Sequence, residues 1–384
     1  MRIAMITETW RPGIDGVVTR LEHTVRELIT RGHQVAVWAP STDPSLAVRQ
    51  HRTAGVVFPF VDRHRRWGVP DPGLAAAVRA WAPDVVHLVN PVMQGSAALL
   101  GLAGRVPVVS SLHTDLTAYA TRYHLGFTRP ALRAINRATY RRADVRLATS
   151  GFGAALLDRI GAGPVELWPA AVDPRFGQAR AARGAAPAGD PSVLRLLAVG
   201  RLAPEKDWDA LVPLLRTGRL DGRALCLDVV GDGPERRRLE QAFAGTRTHF
   251  RGVLRGDDLV AAYRDADVLL TASTTETVGL TLLEAVAAGL PVVAVDGPQV
   301  RATMAGHPRL GLVAADRRRH DRAWVDALRV ALGRAALPDG APPTWAEATG
   351  VLLDHYATAA EAFGRRTLGA EWRPPAQPLT RVPG

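Results

Sequence analysis

Two runs of short apolar strands alternating with longer helical segments, parted by a stretch of small residues, leave this 384-residue chain few folds to choose from. In the first run the strand candidates are Arg2 to Ile6, Gln34 to Ala39, Val56 to Phe60, Val85 to Val89, Val106 to Ser110 and Val145 to Ala148. Such alternation predicts a parallel sheet with helices on both faces. The run breaks after Pro174, where GQARAARGAAPAGDPS reads as a linker over 177–192. It restarts with LRLLAVG, LCLDVVG, THFRGV, DVLLTA, LPVVAVD and LGLVAA. The expectation is an α/β protein of two doubly wound, Rossmann-like domains, 1–176 and 193–344, with ligands at the carboxyl ends of the strands and in the interdomain cleft. A helical segment over 345–364 is expected to cross back to the first domain, and 365–384 reads as a tail.

Within the second run, residues 276–299, ETVGLTLLEAVAAGLPVVAVDGPQ, carry the most chemistry. The spacing predicts a loop holding Glu276, a turn at Gly279 and a helix over 280–288 stopped by Gly289 and Pro291. The amides of Val278, Gly279 and Leu280 then become unpaired donors at a helix N-terminus, a site suited to phosphate. Glu276 and Glu284, eight positions apart, flank that site. Carboxylates repel phosphate but accept hydrogen bonds from hydroxyls. A molecule with sugar, diphosphate and ribose in series has the matching layout.

The formal net charge of +11 comes almost wholly from scattered arginine, without zinc-ligand spacing or an aromatic-and-basic signature, so nucleic acid is not expected as a partner. Lys206 is the only lysine. In a chain that otherwise uses arginine for every cation, a compact ammonium at one position points to a phosphate contact that a planar guanidinium does not replace. Arg201 lies five residues earlier, in the same loop after the strand LRLLAVG. Two cations at a strand's carboxyl end can hold a diphosphate and offset its charge as it leaves. The single cysteine, Cys226, cannot form an internal disulfide, no apolar run reaches the length of a membrane span, and the start lacks a signal-peptide layout. A cytoplasmic protein is expected, free or peripheral at the inner membrane surface.

Other features are less specific. Gly16 lies in the loop after the first strand, ahead of a helix with an apolar face of Val17, Leu21, Val25 and Leu28; a nucleotide loop or an ordinary glycine turn fits equally. His113 ends the strand PVVSSLHTD, where ligand-facing residues gather, although a lone histidine is more often structural. Gly231, in VVGDGP, suits either close approach to a nucleotide or a tight turn. Asp265 and Asp267 have the spacing of a metal-diphosphate clamp, but they lie where a helix ends and a buried strand begins, so no metal site is assigned. Residues 121–144 mix arginine with aromatics and suit either a solvated face or contact with an anionic lipid surface.

The combination of GRLAPEKDWDAL, VVGDGP, FRGVLRGDDLVAAYRDADVLLTAS and ETVGLTLLEAVAAGLPVVA resembles glycosyltransferase family 4, retaining enzymes of GT-B fold. ITETWRPGIDGVVTRL and SLHTDLTAYATRYHLG are similar to actinobacterial GDP-mannose-dependent mannosyltransferases. The resemblance implies that Glu284 holds ribose hydroxyls and Glu276 the hydroxyls of the donor sugar. It assigns Arg201 and Lys206 to the diphosphate, the backbone at Val278, Gly279 and Leu280 to phosphate or sugar, Gly16 to the diphosphate across the cleft, and His113 to the transferred sugar. The base would lie near Leu254, with Gly231 in the same donor-binding set. Two positions depart from the family pattern: Val278 is commonly aromatic, and Ala170-Ala171-Val172-Asp173 replaces an Asn/Arg-Gly-Val-Asp segment.

The implied activity is transfer of a hexosyl unit from a nucleotide-diphosphate sugar, without metal or other cofactor, to a lipid or small-molecule hydroxyl. GDP-mannose is the favoured donor, and a UDP-hexose or UDP-N-acetylhexosamine used in natural-product biosynthesis is the alternative. A non-catalytic nucleotide- or membrane-surface-binding protein on the same fold is the reading from another class.

Overall fold

The computed structural model describes residues 1–13, 15–58, 63–183, 190–333 and 341–368. The first domain is built on β1 (Arg2–Thr7), β2 (Gln34–Ala39), β3 (Arg49–Arg52), β6 (Val85–Val89), β7 (Val108–Leu112), β8 (Val145–Ala148) and β9 (Glu166–Leu167), ordered β3-β2-β1-β6-β7-β8-β9 and parallel throughout. Two further strands, β4 (Gly55–Phe58) and β5 (Arg63–Gly68), form a separate antiparallel pair. The expected parallel strand over 56–60 is thereby corrected: it joins a hairpin, and residues 59 and 60 lie outside the described residues. The polar segment Arg49–Arg52 takes the sheet edge instead, which a hydrophobicity pattern does not reveal.

The second sheet runs β11 (Arg219–Leu220), β12 (Arg223–Val230), β10 (Val193–Val199), β14 (Val268–Thr271), β15 (Val292–Val295) and β16 (Leu310–Val313), with β13 (Thr248–Gly252) also paired to β12. Only β11 is antiparallel. Strand order reverses on either side of β1 in one sheet and β10 in the other, which puts the carboxyl ends of β1, β6, β10 and β14 at the two switch points where open α/β sheets take ligands.

The expected linker is also corrected. Arg175–Arg183 is a helix, and Phe176 packs edge-on against Tyr263 in the second domain's core, their rings 5.1 Å apart. The change of domain therefore falls before Phe176. The alanines and arginines of this segment read as flexible because it is short and its largest buried side chain, Phe176, precedes the expected linker. Residues 184–189 lie outside the described residues.

The chain crosses between domains twice, and the crossings touch: Val172 N–H donates to the Pro343 carbonyl at 2.9 Å, next to a bridge between Val172 and Thr344. Helix Trp345–Leu368 then lies on the first domain, with Leu352, Tyr356 and Ala359 buried among Ile3, Met5 and Leu21. It continues four residues past the expected start of the tail at 365, and 369–384 lie outside the described residues. Among the described residues no helix is long and apolar enough to cross a membrane.

Candidate active site

Between the sheets lies a cleft of about 600 Å³ lined by both domains. Every residue that the sequence assigned to catalysis or donor binding lines it: Gly16 and His113 from the first domain, and Arg201, Lys206, Gly231, Leu254, Glu276, Val278, Gly279, Leu280 and Glu284 from the second.

The second-domain wall is assembled from strand ends. Arg201 and Lys206 follow β10, and Glu276 follows β14, the strand paired directly beside it. The Lys206 ammonium is bonded to the Glu276 carboxylate, which also accepts the Ser273 hydroxyl at 3.1 Å. Arg201 grips Glu205 through Nε and a terminal nitrogen at 3.1 and 2.6 Å. Glu205 is 1 % exposed, and its other oxygen accepts the hydroxyl of Tyr123 from the opposite domain at 2.7 Å. Burial opposes both charges, but mutual attraction wins: Arg201 is raised and Glu205 lowered. The two cations are thus each paired with a carboxylate, where the sequence suggested a bare cationic loop.

Gly279 has φ +74°, the left-handed conformation that starts the eight-residue helix Leu280–Ala287, and among the described residues no side chain caps that end. Its amides are the uncapped donors foreseen from the spacing. The Glu284 carboxyl, in the helix's second turn, accepts the Tyr263 hydroxyl at 2.6 Å. Burial pushes it up to about 7 against the pull of that hydrogen bond, with Asp173 adding repulsion. Gly231, which suited either a turn or a ligand, is required by packing: a Cβ there would lie 2.0 Å from the Gly200 carbonyl oxygen.

Across the cleft, Gly16 opens helix Gly16–Thr30, facing Leu280 at a distance where a Cβ would make ordinary contact, 3.7 Å. The helix end is already capped, since Asp15 accepts the Val17 and Val18 N–H groups and is itself bound by Arg65 at 2.9 Å. His113 follows β7, its backbone held by Asn90, whose side-chain oxygen accepts the His113 and Thr114 N–H groups at 3.0 Å each. Thr277 donates its hydroxyl to the His113 carbonyl, so the loop carrying Glu276 touches the strand end carrying His113.

Two further buried, charged cleft residues were not singled out in the sequence. Glu8, at the end of β1, is buried and accepts N–H groups from Val92, Met93 and Gly95 at 2.9–3.1 Å; burial drives its carboxyl up while those amides hold it down. Arg20 is 2 % exposed, stacks 3.7 Å from the Trp168 ring centroid, and donates to the Trp168 and Pro169 carbonyls. Burial lowers its guanidinium to about 9. Its position on the apolar face of the helix, one turn from Val17 and beside Leu21, was the available signal.

Asp265 is paired with Arg264, while Asp267 takes Arg223 at 2.9 Å and the Arg195 N–H at 2.9 Å. Among the described residues no group of three or more His, Cys, Asp or Glu side chains is placed to hold a metal ion.

Residues 14–176 match the model of Glycosyltransferase Family 4, and residues 194–333 that of Glycosyl transferases group 1. A GDP-mannose-dependent alpha-mannosyltransferase of Mycobacterium tuberculosis is 34 % identical over 333 residues, covering 82 % of this chain and 83 % of that protein. A GDP-mannose-dependent alpha-(1-6)-phosphatidylinositol dimannoside mannosyltransferase of the same species is 28 % identical over 311 residues, covering 76 % and 79 %. Among solved structures, sucrose-phosphate synthase of Thermosynechococcus elongatus superposes over 96 % of each chain with a TM-score of 0.66 at 20 % identity.

Proposed function

Because the chain belongs to glycosyltransferase family 4 and has the GT-B fold, we propose that this glycosyltransferase moves mannose from GDP-mannose to a hydroxyl of a lipid acceptor, with retention at the anomeric carbon. The observation that carries the reading is the convergence of Lys206, Glu276, the uncapped end of helix Leu280–Ala287 and Glu284 on one wall of one cleft. In sequence along that wall, Glu276 takes the sugar hydroxyls, the amides at Gly279 and Leu280 with Arg201 and Lys206 take the diphosphate, and Glu284 takes the ribose.

The acceptor hydroxyl attacks the anomeric carbon on the face from which the diphosphate departs, and the leaving phosphate receives its proton. Charge builds on that phosphate, and the groups aimed at it supply the stabilisation. A lysine ammonium has three donors on a point charge, so Lys206 can keep Glu276 and still reach the phosphate. The cations make a metal unnecessary in this scheme; GDP-mannose turnover persisting in excess EDTA is the expected result. His113 and Gly16 meet the donor from the first domain.

A lipid acceptor is supported by the similarity to an enzyme named for phosphatidylinositol dimannoside and by the surface of the first domain. Helix Arg129–Arg142 presents Arg129, Arg133, Arg137, Arg141 and Arg142 to solvent, and Phe127, just ahead of it, is 80 % exposed. An exposed aromatic beside a row of arginines suits peripheral contact with an anionic leaflet, on the cytoplasmic side.

The deciding experiment is calorimetry with GDP and UDP followed by transfer of labelled sugar to a lipid extract. GDP binding with lipid-dependent turnover of GDP-mannose is expected. Preference for UDP would move the reading to a UDP-sugar enzyme, and absence of transfer from every nucleotide sugar would favour a binding protein.

A further inference from the structure

A line of buried polar side chains runs from the cleft to the helix that crosses back from the second domain. His113 Nε2 lies 2.7 Å from the Ser111 hydroxyl, Ser111 lies 2.8 Å from His87 Nε2, and His87 Nδ1 lies 2.8 Å from the Tyr356 hydroxyl. Ser111, His87 and Tyr356 are 0 % exposed, and the only member open to the cleft is His113, at 8 %. Rings pack around the line: Trp168 stands edge-on to His113 at 5.5 Å, and Tyr356 is edge-on to His87 at 5.7 Å.

Proton counting fixes the direction of this chain. A neutral imidazole has one donor and one acceptor nitrogen, and each hydroxyl has one hydrogen. Were His113 to donate through Nε2, Ser111 would donate to His87 Nε2, and His87 would donate through Nδ1 to Tyr356. The Tyr356 hydrogen would then be buried with no acceptor, because among the described residues His87 is the only hydrogen-bond partner of that hydroxyl. In the opposite sense Tyr356 donates to His87 Nδ1, His87 Nε2–H donates to Ser111, and Ser111 donates to His113 Nε2. Every hydrogen between the four side chains is then used, leaving only the Nδ1–H of His113, the one member that lines the cleft, and buried polar groups favour the satisfied arrangement by the cost of an orphaned donor. Both histidines are neutral: burial lowers His87 to about 3 and His113 well below its ordinary value.

We infer that Tyr356, His87 and Ser111 are positioning residues that hold His113 as the Nδ1–H tautomer, so that it turns a hydrogen-bond donor toward the oxygens of the bound sugar nucleotide. The benefit to catalysis rests on the transferase reading above; the tautomer does not. Tyr356 comes from helix Trp345–Leu368, so the donor is set correctly only once that helix has docked.

The test is the tautomer of His113 in the full chain labelled with ¹⁵N-histidine, read by long-range ¹H–¹⁵N correlation and assigned with His113→Gln. In the parent protein the Nδ1–H form is expected. Tyr356→Phe removes the terminal hydrogen and should leave a mixture with the Nε2–H form. Ser111→Ala severs the line in the middle and should do the same. Turnover should fall about tenfold in each, the equivalent of one hydrogen bond, with KM for the donor little changed. An Nε2–H tautomer in the parent protein, or Nδ1–H retained in both variants, overturns the inference even if transfer is normal. If no sugar is transferred but the tautomer behaves as stated, the transferase reading fails and the relay stands.

Discussion

The Lys206 ammonium and the Glu276 carboxylate, seventy positions apart, are bonded to each other on the cleft wall. Both side chains remain about one-quarter exposed, at 22 % and 24 %. A pair that wet contributes about 0–1 kcal/mol to folding. Its cost in stability and its cost in catalysis should therefore separate. Lys206→Ala should leave the melting temperature nearly unchanged yet cut kcat by about 10²–10³-fold, the scale for removing a group that stabilises developing charge. Lys206→Arg should recover little, since a planar fork does not serve the carboxylate and the phosphate from one point. Full activity in the arginine variant would show that a generic cation suffices.

Glu284 gives the site a pH dependence. Its carboxyl is raised to about 7 in the folded chain, against an ordinary value of 4.5. The group's contribution to stability is thus complete below the unfolded value and is lost as pH rises through the folded one, between about 4.5 and 7. Nucleotide binding should move the opposite way: the ionised carboxylate is the better acceptor for ribose hydroxyls, so affinity for GDP should increase as pH climbs through 7. Glu284→Gln should flatten that profile in calorimetry. Tyr263→Phe removes a hydrogen bond that holds the carboxyl down, and should shift the midpoint upward.

Much of this site was legible because strand ends and glycine turns constrain the backbone locally. Glu276, Gly279 and Glu284 could be laid on a loop, a turn and a helix from spacing alone, and the solitary lysine marked itself by composition. What stayed hidden depended on long-range pairing. Nothing near Arg201 reveals that Tyr123, from the other domain, would share its partner Glu205. Arg20 hides among apolar neighbours because its compensation is two carbonyls and an indole nearly 150 residues away. The helix at Arg175–Arg183 was missed for a related reason: its stability comes from docking Phe176 on Tyr263, not from the pattern of its own residues.

The membrane-contact reading predicts a separable defect. Phe127 is 80 % exposed and belongs to none of the apolar clusters among the described residues, so Phe127→Asp should not alter folding. Each arginine near an anionic surface adds about 1 kcal/mol of attraction, and an inserted aromatic adds the apolar part. Sedimentation with vesicles containing anionic lipid should fall in Phe127→Asp, and further in Arg133→Glu combined with Arg137→Glu. GDP binding should be untouched in all of these. Equal sedimentation with neutral and anionic vesicles would remove the electrostatic part of the argument.

Two glycines on the cleft wall should respond to alanine in opposite ways. At Gly231 the new Cβ would sit 2.0 Å from the Gly200 carbonyl oxygen, with φ at +137°. Neither backbone can yield without parting β10 from β12, so overpacking and strain together should cost about 2–6 kcal/mol. Gly231→Ala should melt several degrees lower or fail to accumulate. At Gly16 the same change meets, among the described residues, only Leu280 Cδ1 at 3.7 Å and opens a helix, where alanine is the better former by about 1 kcal/mol. Gly16→Ala should therefore fold as well as the parent or better. If the Gly16 backbone closes on the diphosphate, the added methyl group stands between them, and kcat/KM should drop although stability does not. Stability and transfer both at parental level would leave Gly16 as a helix start alone, and would assign the diphosphate wholly to Arg201, Lys206 and the Gly279 turn.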